Sequence, residues 1–167
     1  SPPAADYGHG TGVAGVVAAV SNNQGIAGVA YCSKLMIVRV GDCTNGCRVT
    51  VDDSAEGIRY AADHGAQVIN LSYGSLDSSR VEMEAIKYAA KKGVLLVAAS
   101  GNGGPDHIGD PVVEFPARMF PVVAVGATDS QNRVASFSNW GAPLDLVAPG
   151  VGILTTYPGG GTVLWSG

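Results

Sequence analysis

The sequence predicts an α/β fold with a mostly parallel central sheet and helices on both faces. Short runs that are apolar on both sides alternate with segments of helical periodicity, the pattern of strands buried in a covered parallel sheet. Charged residues are only 14% of the 167 and hydrophobic residues 46%, which excludes a disordered chain and suffices for one domain with a core. Glycine occurs 24 times, about twice its average usage, which suits tight turns and loops that approach a ligand closely.

The elements follow in order. Val13, Val16, Val17 and Val20 recur at helical spacing, so a helix starts near Gly10. Leu35–Val40 reads as a buried strand. Ala55, Ile58 and Ala62 mark a second helix, entered at Asp53 or Ser54 and stopped by Gly65. Gln67–Tyr73 is the next strand. Met83, Ile86 and Ala90 mark a third helix, closed by Lys91-Lys92-Gly93, whose lysines suit the negative end of the helix dipole. Val94–Ala99 is a third, almost wholly apolar strand. Beyond Gly101 the chain is richer in Gly, Pro, Ser and Asn, with strands at Val122–Ala127 and Leu144–Val147. No repeat, low-complexity tract or linker interrupts it, so residues 1–167 read as a single domain, and the opening Ser1-Pro2-Pro3-Ala4-Ala5-Asp6 reads as a loop entered midway.

The net charge is −4 and the ten Lys and Arg residues form no run, so no nucleic-acid partner is expected. No apolar run reaches the roughly 18 residues of a membrane span, and no signal peptide opens the chain. Cys43 and Cys47 flank Thr44-Asn45-Gly46, where a small disulfide loop and two thiols beside a turn both stay open. Cys32 reads as a small buried hydrophobe. His64 and His107 show no pattern that assigns them a task.

In sheets of this class ligands bind beyond the carboxyl ends of strands. Those ends carry Gly41-Asp42, Ser72-Tyr73-Gly74 and Ser100-Gly101-Asn102-Gly103. The segment Gly8–Gly15 has two readings. As a string, Gly10-x-Gly12-x-x-Gly15 satisfies a dinucleotide fingerprint, but that turn must follow a buried strand, and the prolines at 2 and 3 argue against one. The other reading centres on His9, a histidine at the mouth of a helix and flanked by glycines, a candidate general base.

The stretch Asp6-Tyr7-Gly8-His9-Gly10-Thr11-Gly12-Val13-Ala14-Gly15 resembles the histidine motif H-G-T-H-V-A-G of subtilisin-like serine proteases. Ser21-Asn22-Asn23 to Gly28-Val29-Ala30, Val68-Ile69-Asn70-Leu71-Ser72, Ala98-Ala99-Ser100-Gly101-Asn102, Phe115-Pro116-Ala117 and Ala148-Pro149-Gly150 resemble the same family in the same order, so the resemblance spans essentially the whole chain. One departure is Gly12, where the family commonly has a second histidine.

The resemblance implies a subtilisin-like three-layer sandwich, incomplete at both ends, and a serine endopeptidase acting on protein or peptide substrates, located outside the cell and monomeric. It makes His9 the general base and Asn102 the oxyanion donor. It assigns Ser72, Tyr73 and Gly74 to the backbone of an extended substrate. It lines the primary specificity pocket with Ala99, Ser100 and Gly101, and places Glu114 near its base with a preference for Lys or Arg at the cleaved residue. It makes Phe115–Pro116 a cis bond. Val20–Ile26 resembles a calcium loop, with backbone carbonyls of Val20, Gln24 and Ile26 and the side chain of Asn22 as ligands. Two further ligands would come from upstream, and a plain polar turn reads equally well. The family's aspartate lies upstream of the histidine motif. Leu164-Trp165-Ser166-Gly167 resembles the approach to its Gly-Thr-Ser-Met-Ala motif, with Gly167 as the first residue. A non-catalytic homologue that binds peptides in the same groove is the alternative.

Overall fold

The computed structural model describes residues 8–42, 48–103 and 108–167. In chain order its elements are α1 (His9–Ala18), β1 (Gly41–Asp42), β2 (Arg48–Val49), α2 (Val51–Asp63), β3 (Val68–Leu71), α3 (Arg80–Lys91), β4 (Leu95–Ala99), β5 (Val122–Thr128), β6 (Leu146–Pro149), β7 (Ile153–Tyr157) and β8 (Gly161–Trp165). They fall into two compact units. One takes residues 38–41, 49–151 and 167, the other the described residues of 1–37, 42–48 and 152–166.

The first unit is built on a four-stranded parallel sheet in the order β3-β4-β5-β6. Its core gathers Ile58, Ala61 and Ala62 of α2, Ala85, Ile86 and Ala89 of α3, and Ile69, Leu71, Leu96, Ala98, Val122 and Ala124 of the sheet. Small alanines on both helices let them pack closely on one another and on the strands. In β3 the alternation is strict, with Ile69 and Leu71 buried and Val68 and Asn70 exposed.

Both helices begin at side-chain caps. Thr50 Oγ1 accepts from Asp53 N at 3.1 Å and donates to the Asp53 carboxylate at 2.7 Å, so α2 starts at Val51, ahead of the expected Asp53 or Ser54. Ser79 Oγ accepts from Glu82 N at 3.3 Å to start α3. Gly65 and Gly93, at φ 85° and 83°, take the left-handed turns that leave the two helices. The Phe115–Pro116 bond is cis as expected, and Phe120–Pro121 and Ala142–Pro143 are cis as well.

Two sequence expectations are corrected. Leu35–Val40 is not a strand, and Leu35, Met36 and Ile37 are exposed. An apolar run becomes a strand only where a neighbouring edge takes its backbone groups, and no ladder forms here among the described residues. Val40 instead packs against α2, where a Cβ on Gly57 would stand 2.4 Å from Val40 Cγ1. Cys32 is exposed rather than buried, because it lies in the turn closed by Ser33 N on the Ala30 carbonyl. Cys43, Cys47 and His107 lie outside the described residues.

The second unit packs α1 on the antiparallel hairpin β7–β8. The helix is where the valine spacing predicts it, but its buried residues are Gly12, Gly15 and Ala18. The hairpin comes too close for larger side chains. Thr155 Oγ1 donates to the Gly12 carbonyl at 2.5 Å and Thr156 Oγ1 to the Thr11 carbonyl at 2.7 Å. A Cβ on Gly15 would stand 2.3 Å from Thr156 Oγ1.

Candidate active-site residues

In the α1 unit, His9 is the first residue of the helix and is exposed. Gly8, the N-cap, has φ 107°, and a Cβ there would stand 2.5 Å from Pro158 Cδ, so both backbone and space require glycine. The His9 imidazole stacks on the Trp165 indole, with ring centroids 6.2 Å apart and planes inclined by 17°. Trp165 reaches that position across Gly12, whose Cβ would stand 2.3 Å from Trp165 Cζ3. The departure at Gly12 therefore has a structural counterpart: the missing side chain is replaced by an indole from β8. Gly12→Ala is expected to destabilise the full-length protein by about 2 kcal/mol net, because a clash this close costs about 3 kcal/mol, the upper end of overpacking, and alanine's helix propensity returns roughly 1 kcal/mol. The urea midpoint reads this, and an unchanged midpoint would show that the indole is not seated there.

In the sheet unit, three segments meet at the ends of β3 and β4. Ser75 and Phe115 exchange two backbone bonds, of 2.9 and 2.8 Å, and Glu114 N donates to the Ser100 carbonyl at 2.9 Å. The Glu114 side chain is thereby laid between two glycines. A Cβ on Gly74 would stand 2.2 Å from Glu114 Oε2, and one on Gly101 2.6 Å from Oε1. Partial burial pushes the Glu114 carboxyl above its usual range, with Asn139's hydrogen bond opposing and the charge of Asp110 adding. Ala99 is half-buried at the end of β4. Ser100 is buried and donates its hydroxyl to the Asn139 carbonyl at 3.0 Å, so only its backbone faces the Glu114 segment. Ser72 Oγ accepts from Asn70 Nδ2 at 2.7 Å. Tyr73 turns its ring into the helices, where burial pushes its hydroxyl up to about 12, with the Ser54 bond opposing and the Glu82 charge adding.

Asn139 organises this region. It is wholly buried, and its Oδ1 accepts from Gly103 N at 2.7 Å and Asp110 N at 2.9 Å. Its Nδ2 donates to Glu114 Oε1 at 3.2 Å, and its backbone N–H donates to the Gly101 carbonyl at 3.0 Å. Nothing in the local sequence Phe137-Ser138-Asn139-Trp140 singles it out, because its partners are distant in sequence. Asn102 stands between Gly101 and Gly103, at φ 110° and 73°, both tied to Asn139. Its side chain is exposed, and its Nδ2 is 3.3 Å from where a side chain on Gly167 would begin. Gly167 is pinned by its N–H to the Gly150 carbonyl at 2.9 Å.

The loop at 20–26 is open to solvent apart from a half-buried Ile26. Asn22 Oδ1 already accepts from Gln24 N at 3.1 Å, an Asx turn. With the carbonyls of Val20, Gln24 and Ile26 this makes a donor set of neutral oxygens only, short of the six to eight that calcium takes. The residues present do not complete a calcium site, and no cluster of His, Cys, Asp and Glu suited to a metal occurs among the described residues.

The chain is 45% identical to Subtilisin BL of Lederbergia lenta over 152 residues, 91% of this chain and 54% of that protein. It is 44% identical to Alkaline elastase YaB of Bacillus sp. (strain YaB) over 161 residues, 96% of this chain and 40% of that protein. The chain thus spans about half the length of these relatives or less. Among solved structures, the self-cleaved protease domain of PatA superposes with a TM-score of 0.85 at 34% identity, covering 95% of this chain and 60% of that one. Sphericase does so at 0.85 and 31%, covering 96% and 58%. The fold is therefore subtilisin-like, and with the model of the subtilase family (Peptidase_S8) matching residues 1–166, the chain belongs to that family.

Proposed function

We propose that the full-length protein is a serine endopeptidase and that this chain supplies its general base and oxyanion donor. In this reading His9 takes the proton from a serine hydroxyl as that oxygen attacks the peptide carbonyl, then returns it to the leaving amine. Asn102 donates from its side-chain amide to the oxygen on which negative charge develops. The aspartate that orients His9 and the nucleophilic serine come from sequence beyond these residues, and the 167 residues alone do not hydrolyse peptides. The observation that carries the reading is the closeness of the Asn102 amide, 3.3 Å, to where a side chain on Gly167 would begin, the residue that by resemblance leads the family's serine motif. A fluorophosphonate probe tests it: labelling of the full-length protein on a serine, with matching loss of peptide hydrolysis, is the expected result. Peptide binding without labelling would favour the non-catalytic homologue instead.

The substrate backbone is read by Ser72, Tyr73 and Gly74. Tyr73 and Gly74 make no backbone hydrogen bond outside strands and helices to another described residue, which favours strand addition by an extended peptide. The specificity pocket is assigned to the backbone at Ala99–Gly101 with Glu114 beside it, and a carboxylate there favours Lys or Arg at the cleaved residue. The sign with pH follows from its raised titration. The preference is full when Glu114 is ionised and fades as pH falls, beginning at a higher pH than for an ordinary glutamate. Competing basic and aromatic peptides across the acid range measure it. Glu114→Gln is expected to lower the basic-over-aromatic ratio roughly tenfold, the scale of one hydrogen-bonded charge pair, and a ratio unchanged by the substitution would refute the assignment. A structural calcium at residues 20–26 would need its further oxygen ligands from upstream sequence, and the peptidase is placed outside the cell as a monomer acting on proteins or peptides. No helix among the described residues is long and apolar enough to cross a membrane.

A further inference from the structure

Glu82 is buried, only 5% exposed, and no cation pairs with it among the described residues. A carboxylate in that position is costly unless its hydrogen bonds compensate. Ser79-Arg80-Val81-Glu82 has the spacing of a capping box, in which the glutamate reaches back to the N-cap N–H while the serine caps the glutamate N–H. Only the serine half forms, through Ser79 Oγ and Glu82 N. The carboxylate turns inward, and Ser54 of α2 donates its hydroxyl to Glu82 Oε1. Ser54 Oγ is also 2.7 Å from Tyr73 Oη. A serine hydroxyl has one proton, so with that proton on Glu82 the Tyr73 hydroxyl must donate to Ser54. The result is a directed chain, Tyr73 to Ser54 to Glu82, running from the proposed substrate segment into both core helices.

The position of Tyr73 gives this chain a task. Leu71 is held in β3, and Ser75 by its two bonds to Phe115, but between them Tyr73 and Gly74 have no such loop bond to another described residue. The Tyr73 side chain, through Ser54, is a tie that helps set where that backbone lies. A local helix rule is broken at Glu82, and the freed carboxylate is used to hold a residue of the groove, the pattern expected where local consistency yields to function. We infer that Glu82, acting through Ser54, is a positioning residue for Tyr73 and sets the affinity for extended peptides rather than the rate of the bond-breaking step. This rests on the reading of residues 72–74 as the substrate strand.

The test uses the full-length protein with two chromogenic anilides, one carrying a single amino acid and one carrying several residues before the cleaved bond. Glu82→Leu is expected to raise KM for the longer substrate roughly five- to tenfold with kcat unchanged, the signature of lost uniform binding, and to leave the single-residue substrate as it was. Glu82→Gln, which still accepts from Ser54, restores the longer substrate's KM. Tyr73→Phe reproduces the effect of Glu82→Leu with minimal change to packing, and the double variant adds nothing further. Equal losses on both substrates, or a lowered thermal midpoint with the longer substrate's KM unmoved, would overturn the inference and leave Glu82 a stability residue. If the wild-type protein binds the two substrates alike, the groove reading itself falls; if it prefers the longer one and the variants do not change this, the inference alone falls.

Discussion

Replacing His9 with alanine in the full-length protein is expected to lower kcat on a peptide substrate about a million-fold while KM barely moves, a magnitude carried over from subtilisin rather than from this geometry. The direction follows from the base role proposed for His9, which its setting suits. His9 opens α1 on a glycine N-cap, exposed and backed by the Trp165 indole, so its imidazole is reachable by a hydroxyl yet held on one side. In the proposed mechanism its loss leaves the attacking serine without a base at neutral pH, and labelling by a fluorophosphonate should slow in parallel. His64→Ala supplies the contrast. That ring lies at the C-cap of α2, its Nδ1 is 2.8 Å from the Tyr60 carbonyl, and it stacks on Tyr60 at 3.9 Å. Its loss should leave kcat within about twofold, as for surface changes away from special features. A His9→Ala enzyme that kept a tenth of its activity would end the assignment of the base.

Asn102→Ala is expected to lower kcat by about 10²- to 10³-fold with KM nearly constant, again a range known from subtilisin itself. The donor serves charge that exists only in the transition state, so its removal should not weaken ground-state binding. The side chain is placed by two left-handed glycines that are both fastened to Asn139, which is why an exposed amide can be a fixed donor. Asn102 carries the oxyanion in this reading, and Asn139 only holds the loop. A variant with raised KM and unchanged kcat would make Asn102 a binding residue and remove it from the chemistry.

How much of this was legible in the sequence depended on whether the determinant was local. The helices at Val51–Asp63 and Arg80–Lys91 were legible because apolar spacing, a polar entry and a closing glycine lie within each segment. The start of α2 was misplaced because the cap is Thr50, a residue outside the apolar pattern that reveals itself only by its partner at Asp53. Leu35–Val40 failed for the opposite reason: its composition suits a strand, but pairing depends on an edge elsewhere. The β7–β8 hairpin is not among the expected elements, although Ile153–Tyr157 and Gly161–Trp165 flank Pro158-Gly159-Gly160, with both glycines at positive φ. Of the site, His9 and Asn102 stood out through motifs. Trp165 and Asn139 did not, since each acts on residues far away in the chain.

The seating of α1 has a consequence for the order of events during synthesis. The hydroxyls that hold its carbonyls, from Thr155 and Thr156, are 143 and 145 residues downstream of Gly12 and Thr11. A ten-residue segment whose buried positions are mostly glycine has little helix of its own. At a translation rate of about 5–20 residues per second, the hairpin follows the histidine by roughly 7–30 s. For that interval the segment carrying His9 lacks the hydroxyls that seat α1 in the folded unit. The proposed general base is thus put in place late in synthesis, by contacts that span nearly the whole chain.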